Sequence, residues 1–260
     1  MLVLVLALAA LVGVVLGLLG GGGSILMVPL LTLVAGLAPK EAIATSLLVV
    51  GVTSLAALVP HARAGRVRWR TGVTFGLAAM VGAYAGGRLA AFIPGRVLLA
   101  GFALLMLATA IAMIRGRRGG REQSDDTSAV PVPARSTVRT TGRYVLQGVA
   151  VGLVTGTVGA GGGFLVVPAL VLLGGLSMTA AVATSLLVIA MNSAAGLAGH
   201  LASTALDWPF ALSVTALAVV GAVAGGLFAG RVPQATLRTA FGWFVLAMGA
   251  LVLGQSALAG

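Results

Sequence analysis

The stretch ATSLL occurs twice in this sequence, at residues 44–48 and 183–187, and each copy lies near the start of a long apolar segment. The adjacent hydroxyl groups belong to Thr45 and Ser46 in the first copy and to Thr184 and Ser185 in the second. A hydroxyl can bind an oxyanion in apolar surroundings without the cost of burying a charge. In membrane helices, Ser and Thr also bond to their own backbone or to a neighbouring helix. The sequence leaves both interpretations open.

Asn192 is the most polar side chain that lies well inside an apolar segment, and it is a candidate ligand for the same anion. With Ser193 it occupies the place in the second segment that Thr53 and Ser54 occupy in the first. His61 and His200 end these two segments. Because histidine changes charge near neutral pH, the pair could carry a coupling proton, with a simple boundary role as the alternative.

Two glycine clusters interrupt apolar segments, GGGG at 20–23 and GAGGG at 159–163, and each is followed by a proline, Pro29 or Pro168. Glycine inside a helix costs about 1 kcal/mol relative to alanine, so these clusters predict a helix break. An opened backbone at membrane depth lines a site or cavity, and the next helix start presents N–H groups suited to an anion. Close packing of helices through small residues is the alternative. The candidate substrate-binding residues here are Gly21, Gly22, Gly23, Ser24, Gly161, Gly162 and Gly163.

Composition indicates the class of protein that positions these residues. Of 260 residues, 59% are hydrophobic and 8% are charged, and the mean hydropathy is +1.13. We therefore predict an all-α polytopic membrane protein in the cell membrane, because helices satisfy their own backbone groups in lipid. The net charge of +11 is concentrated in loops, which argues for membrane topology and against nucleic acid. No cysteine, deep acidic residue, metal-ligand motif or nucleotide motif is present, so we expect no cofactor, no metal and no enzymatic activity.

The chain also repeats itself at an offset of 139 residues. Over residues 20–61, 21 of the 42 positions are identical to those of 159–200. We predict two homologous repeats, each with four hydrophobic regions, for about eight transmembrane helices, with the first region of each repeat broken at its glycines. The predicted regions are 2–37, 41–60, 70–92 and 96–114, then 144–176, 178–200, 209–230 and 236–254. The predicted domains are a first membrane repeat at 1–114, a polar cytoplasmic linker at 115–143 and a second membrane repeat at 144–260.

Arginine-rich segments predict the orientation. Four arginines between residues 63 and 70 and seven in the linker place both segments in the cytoplasm. If the first region of each half crosses the membrane once, the halves are parallel; if it turns back at its glycines, they are inverted. The distribution of basic residues favours inversion, whereas the short stretch after the first glycines favours the parallel alternative. We lean towards inversion.

The duplicated glycine-proline stretches GGGGSILMVP and GAGGGFLVVP, the duplicated ATSL stretches and the basic central loop together resemble the sulfite exporter TauE/SafE family. This resemblance implies a permease for small sulfur-containing anions such as sulfite, sulfoacetate or other organosulfonates. We expect the partners to be such an anion and the lipid bilayer; a homo-oligomer stays open. Our hypothesis is alternating access between the two repeats, with a non-transporting membrane scaffold and an anion channel as the alternatives.

Overall fold

A computed structural model describes residues 2–19, 24–115, 137–158, 163–172, 176–228, 243, 246–251 and 254. Across these ranges the regular secondary structure is helical, and none of it is β-strand. A single 3₁₀ turn at residues 24–26 and a π-helix at Leu30–Val34 interrupt the α-helical pattern. The α-helices are α1 (Leu2–Leu19), α2 (Met27–Pro29), α3 (Pro39–Arg63), α4 (Trp69–Ala90), α5 (Gly95–Arg115), α6 (Thr137–Val158), α7 (Gly163–Leu172), α8 (Met178–Leu201) and α9 (Trp208–Phe228).

Helices α3, α4, α5, α8 and α9 begin and end within three residues of the hydrophobic regions that the sequence predicts. Helix α6 differs, because it begins at Thr137, seven residues before the predicted second membrane repeat. Four helices are long and apolar enough to cross a bilayer, namely α3, α4, α8 and α9. Shorter apolar helical stretches lie at Leu4–Gly17, Ser24–Val34, Gly95–Ala108 and Val145–Val158. The chain is a polytopic helical membrane protein.

The glycine clusters lie between helices in both halves. Helix α1 ends at Leu19 and helical structure resumes at Ser24, while α6 ends at Val158 and α7 begins at Gly163. Residues 20–23 and 159–162 lie outside the described ranges.

The helix that follows each cluster ends in a similar way in the two halves. The N–H of Leu37 donates to the carbonyl of Leu31 at 3.0 Å, and the N–H of Leu176 donates to the carbonyl of Leu170 at 3.2 Å. Both bonds span six residues, and they form 139 residues apart. Each closes the short helix before the next long helix begins.

Glycines bring α1 against α9 and α4 against α6. A Cβ placed on Gly13 would overlap the carbonyl of Ala218, and one on Gly17 would overlap that of Ala222. A Cβ on Gly82 would likewise overlap the carbonyl of Val149. These contacts are backbone against backbone, as the small-residue spacing of GAYAGG at 82–87 indicates.

The same contacts give the helix directions. Residue numbers rise together along α1 and α9, and also along α4 and α6, so both pairs are parallel. Helices α3 and α8 run the opposite way to each other: a Cβ on Gly196 would lie 3.4 Å from Leu47, and one on Gly51 would lie 3.2 Å from Ser193. The two long helices that carry ATSLL are therefore antiparallel neighbours at the centre of the bundle.

We expect Gly152→Ala to destabilise the protein by about 1–3 kcal/mol, because its Cβ would overlap the Ala79 carbonyl and push α6 from α4. The matched control is Gly101→Ala on α5, where an added Cβ meets no atom within 4 Å. Thermal unfolding in detergent measures both variants. The control should melt at the wild-type temperature or slightly above it, and an equally stable Gly152→Ala variant would contradict the proposed close approach.

Candidate functional site

Three helices, α3, α6 and α8, meet at Gly196 of α8. A Cβ on Gly196 would lie 3.4 Å from the Leu47 side chain of α3 and 3.6 Å from the Cα of Gly156 of α6. One turn before Gly196, α8 carries Asn192 and Ser193, and both side chains are buried. We call the polar group at this level the junction. It consists of Thr53, Ser54, Thr155, Asn192 and Ser193, all of which are at most 1% exposed.

Asn192 connects α8 to α6 within the junction. Its Nδ2 donates to the hydroxyl of Thr155 at 2.5 Å, and that hydroxyl donates to the carbonyl of Gly152 at 3.1 Å. The Oδ1 atom of the same amide is buried and has no hydrogen-bond partner in the described part of the chain. One end of the amide is thus held in place while the other remains available.

The two junction serines lie at or beside the contact between α3 and α8. Ser193 packs against Gly51, and Ser54 lies three residues beyond Gly51, on the same side of α3. Both hydroxyls are buried, and neither has a partner among the residues that the structure describes. Thr53 differs, because its hydroxyl donates back to the carbonyl of Val49 at 2.7 Å.

Buried polar atoms without partners are costly, at about 1–3 kcal/mol each, and they are uncommon in folded proteins. Three occur at the junction: Ser54 Oγ, Asn192 Oδ1 and Ser193 Oγ. The junction carries no charged side chain. Chemically, the junction can hydrogen-bond a small polar or anionic solute through neutral groups alone.

The ATSLL hydroxyls are not brought together. Ser46 donates to the carbonyl of Ile43 at 2.7 Å, and Ser185 donates to that of Val182 at 2.8 Å. Thr184 accepts the N–H of Arg68 at 3.0 Å, which connects α8 to the residue before α4. Thr45 is buried beside Ser46. Because α3 and α8 are antiparallel, the two stretches lie towards opposite ends of the bundle, each about 12 Å from the junction.

Most of the glycine candidates lie outside the described residues, namely Gly21, Gly22, Gly23, Gly161 and Gly162. Ser24 is fully buried where helical structure resumes, and Gly163 is the first residue of α7. The predicted role of these helix starts in binding an anion stays a prediction.

The two histidines occupy equivalent positions and have different environments. His200 is 1% exposed, and its Nε2 lies 2.9 Å from the carbonyl of Gly156. Since a carbonyl only accepts, Nε2 carries the proton and donates. The bond satisfies a carbonyl in the last turn of α6, where intrahelical donors run out. His61 is partly exposed, and its buried Nδ1 has no partner among the described residues.

Thr155 is the junction residue that sequence reasoning missed. It lies in the polar triplet TGT at 155–157, just before the second glycine cluster, and this triplet was the available signal. Its equivalent in the first half is Leu16, so the duplication itself directed attention away from it. The described residues contain no cluster of side chains able to hold a metal ion.

Comparisons with known proteins agree on one family. The model of the family described as "Sulfite exporter TauE/SafE" matches residues 5–252. A "Probable membrane transporter protein" of Xylella fastidiosa is 34% identical over 249 residues, which covers 95% of this chain and 92% of that protein. The "Probable membrane transporter protein YdhB" of Bacillus subtilis is 29% identical over 237 residues, covering 91% and 94% respectively. No solved structure matches the chain.

We expect His200→Leu to lower the free energy of unfolding by about 1–3 kcal/mol, because the substitution leaves the Gly156 carbonyl buried without its donor. The matched control is His61→Leu at the equivalent position, which removes no hydrogen bond seen in the described residues. Thermal unfolding in detergent compares the two variants. Equal losses would show that the His200 bond contributes nothing particular to the packing of α6 on α8.

Proposed function

Since the chain belongs to the sulfite exporter TauE/SafE family of membrane transporters, we propose that it is a secondary transporter or facilitator for small anions. Sulfur-containing oxyanions, such as sulfite, sulfoacetate and other organosulfonates, are the substrate class that the family description favours. The relatives are named as transporters and not as enzymes, and this chain is likewise not an enzyme.

The observation that carries the proposal is the junction. Its two hydroxyls and one amide are buried without partners on the two central antiparallel helices. Neutral donors can replace part of the hydration of an anion, and release stays feasible because no buried positive charge traps it. A packing role alone gives no reason for three unpartnered polar atoms in an apolar bundle.

We propose further that the two halves are inverted repeats around this junction. Helix starts at Pro39 and Met178, and at Trp69 and Trp208, are separated by 139 residues. The antiparallel directions of α3 and α8 support inversion, as does the parallel pairing of α1 with the third long helix of the other half. Secondary transporters of this kind bind substrate near the midplane, where the repeats meet. By the excess of arginine, the linker and the loop after α3 lie in the cytoplasm.

The moving parts in this proposal are not the two sequence halves, because α1 interlocks with α9 and α4 with α6. Two side-chain bonds join α6 to α8, Asn192 with Thr155 and His200 with Gly156. At the equivalent positions of the first half, Leu16 is apolar and Thr53 bonds its own helix. We therefore place the larger movement between α1 and α3, with α6 and α8 as the fixed part.

The experiment is sulfite or sulfoacetate flux into proteoliposomes. We expect the double variant Ser54→Ala with Ser193→Ala to lower the flux at least about tenfold, since hydrogen bonds to an anion contribute about 1.5–3 kcal/mol each. Its melting temperature should be unchanged, because neither hydroxyl has a partner in the described structure. The control is Thr215→Ala on α9, a buried hydroxyl that bonds the Ala211 carbonyl of its own helix.

Undiminished flux in the double variant would refute the junction as the binding site. A folded wild-type protein that moves neither anion would instead support the scaffold alternative.

The proposed site of movement has its own test. Leu16→Thr combined with Thr53→Asn places the residue types of Thr155 and Asn192 at the equivalent positions of α1 and α3. We expect slower flux at an unchanged or higher melting temperature, because the new bond would hold the two helices together. Each single variant serves as the control, since one partner alone cannot form the bond. Flux equal to wild type in the double variant would place the movement elsewhere.

A further inference from the structure

The short loop between α3 and α4 has a well-defined backbone. The N–H of Arg66 donates to the carbonyl of His61, and the N–H of Gly65 donates to that of Ala62, both at 3.1 Å. Gly65 has a φ of 66°, in the left-handed region. These are the two hydrogen bonds and the glycine of a Schellman motif, which terminates α3 and turns the chain.

Two further contacts attach this loop to α8. Val67 is 6% exposed and packs with Leu58, Ala183 and Leu186. The N–H of Arg68 donates to the hydroxyl of Thr184. The loop is therefore held on both sides, and the side chains that it carries outward have fixed starting points.

Those outward side chains are basic. Arg63, Arg66, Arg68 and Arg70 are all exposed. Among the described residues, the acidic ones are Glu41 in the first turn of α3 and Asp207 just before α9. Because α3 is 25 residues long and antiparallel to α8, both carboxylates lie at the opposite end of the bundle, tens of ångströms away. The four guanidinium groups thus have no carboxylate of the described chain near them.

The position of the loop relative to the bilayer follows from its neighbours. It joins two helices that are long and apolar enough to span, and Trp69 at the start of α4 is about half exposed, at 51%. An exposed tryptophan at a helix end lies at the headgroup level of a membrane. The arginines on either side of it therefore lie at the depth of lipid phosphates.

We propose that this loop is a binding site for the headgroup of an anionic phospholipid. The guanidinium of Arg66 or Arg68 suits bidentate pairing with a phosphate, and the bound backbone lowers the ordering cost of forming that pair. The net negative charge of the lipid balances arginines that the described protein leaves unpaired. This site is separate from the junction and does not depend on the transport proposal.

The test counts bound phosphatidylglycerol by native mass spectrometry of the detergent-solubilised full chain, with phosphatidylcholine as the neutral comparison. The loop variant is Arg66→Gln with Arg68→Gln, which keeps the backbone bond to Thr184. The matched control is Arg88→Gln with Arg96→Gln, two exposed arginines at the opposite end of the bundle. We expect phosphatidylglycerol binding to weaken about thirtyfold in the loop variant and little in the control, since each basic residue near an anionic surface contributes about fivefold.

The proposal is overturned if the loop variant keeps wild-type binding, if both variants lose binding equally, or if wild type binds phosphatidylcholine as well as phosphatidylglycerol. A third arm adds inorganic phosphate to the wild-type protein. Displacement of the lipid by millimolar phosphate would show a site for free anions and would also overturn the assignment to lipid. Melting temperatures of all variants, measured without lipid, exclude misfolding as the cause of any loss.

Discussion

Close contact between helix backbones is the constraint on which this structure depends. In lipid, apolar side chains gain little by leaving one apolar environment for another, so helices associate through tight packing and interhelical hydrogen bonds. Here glycine removes the Cβ atoms that would otherwise separate α1 from α9 and α4 from α6. These two pairs link the first long helix of each half with the third long helix of the other, and α3 and α8 are antiparallel neighbours within this frame.

The position of α3 and α8 explains why their polar residues matter. A hydroxyl on a helix at the edge of the bundle would meet lipid or bond to its own backbone, as Thr74 and Ser213 do. At the junction, Ser54, Ser193 and one end of the Asn192 amide are buried without such a partner. The interlocked outer helices exclude water from these atoms, and this exclusion is what makes them candidates for holding a substrate.

Duplication does not make the two halves chemically equal. His200 is bound to the end of α6, whereas His61 keeps a buried nitrogen without a partner among the described residues. The loop after α3 carries arginines, and its equivalent after α8 carries none. A repeated frame with different side chains allows one half to be held and the other to move, and it distinguishes the two faces of the protein by charge.

The sequence by itself determined the helical membrane class and nearly all the long helix bounds, because both follow from runs of apolar residues and the breakers between them. It also indicated Asn192, since an amide deep in an apolar segment stands out without any structure. It could not show that the ATSLL hydroxyls are separated by the antiparallel α3 and α8, or that Thr155 completes the polar group around Asn192. Those facts depend on which helices are neighbours and in which direction each one runs. Only the tertiary structure decided them, because a hydrogen bond between residues 37 positions apart leaves no mark in local composition.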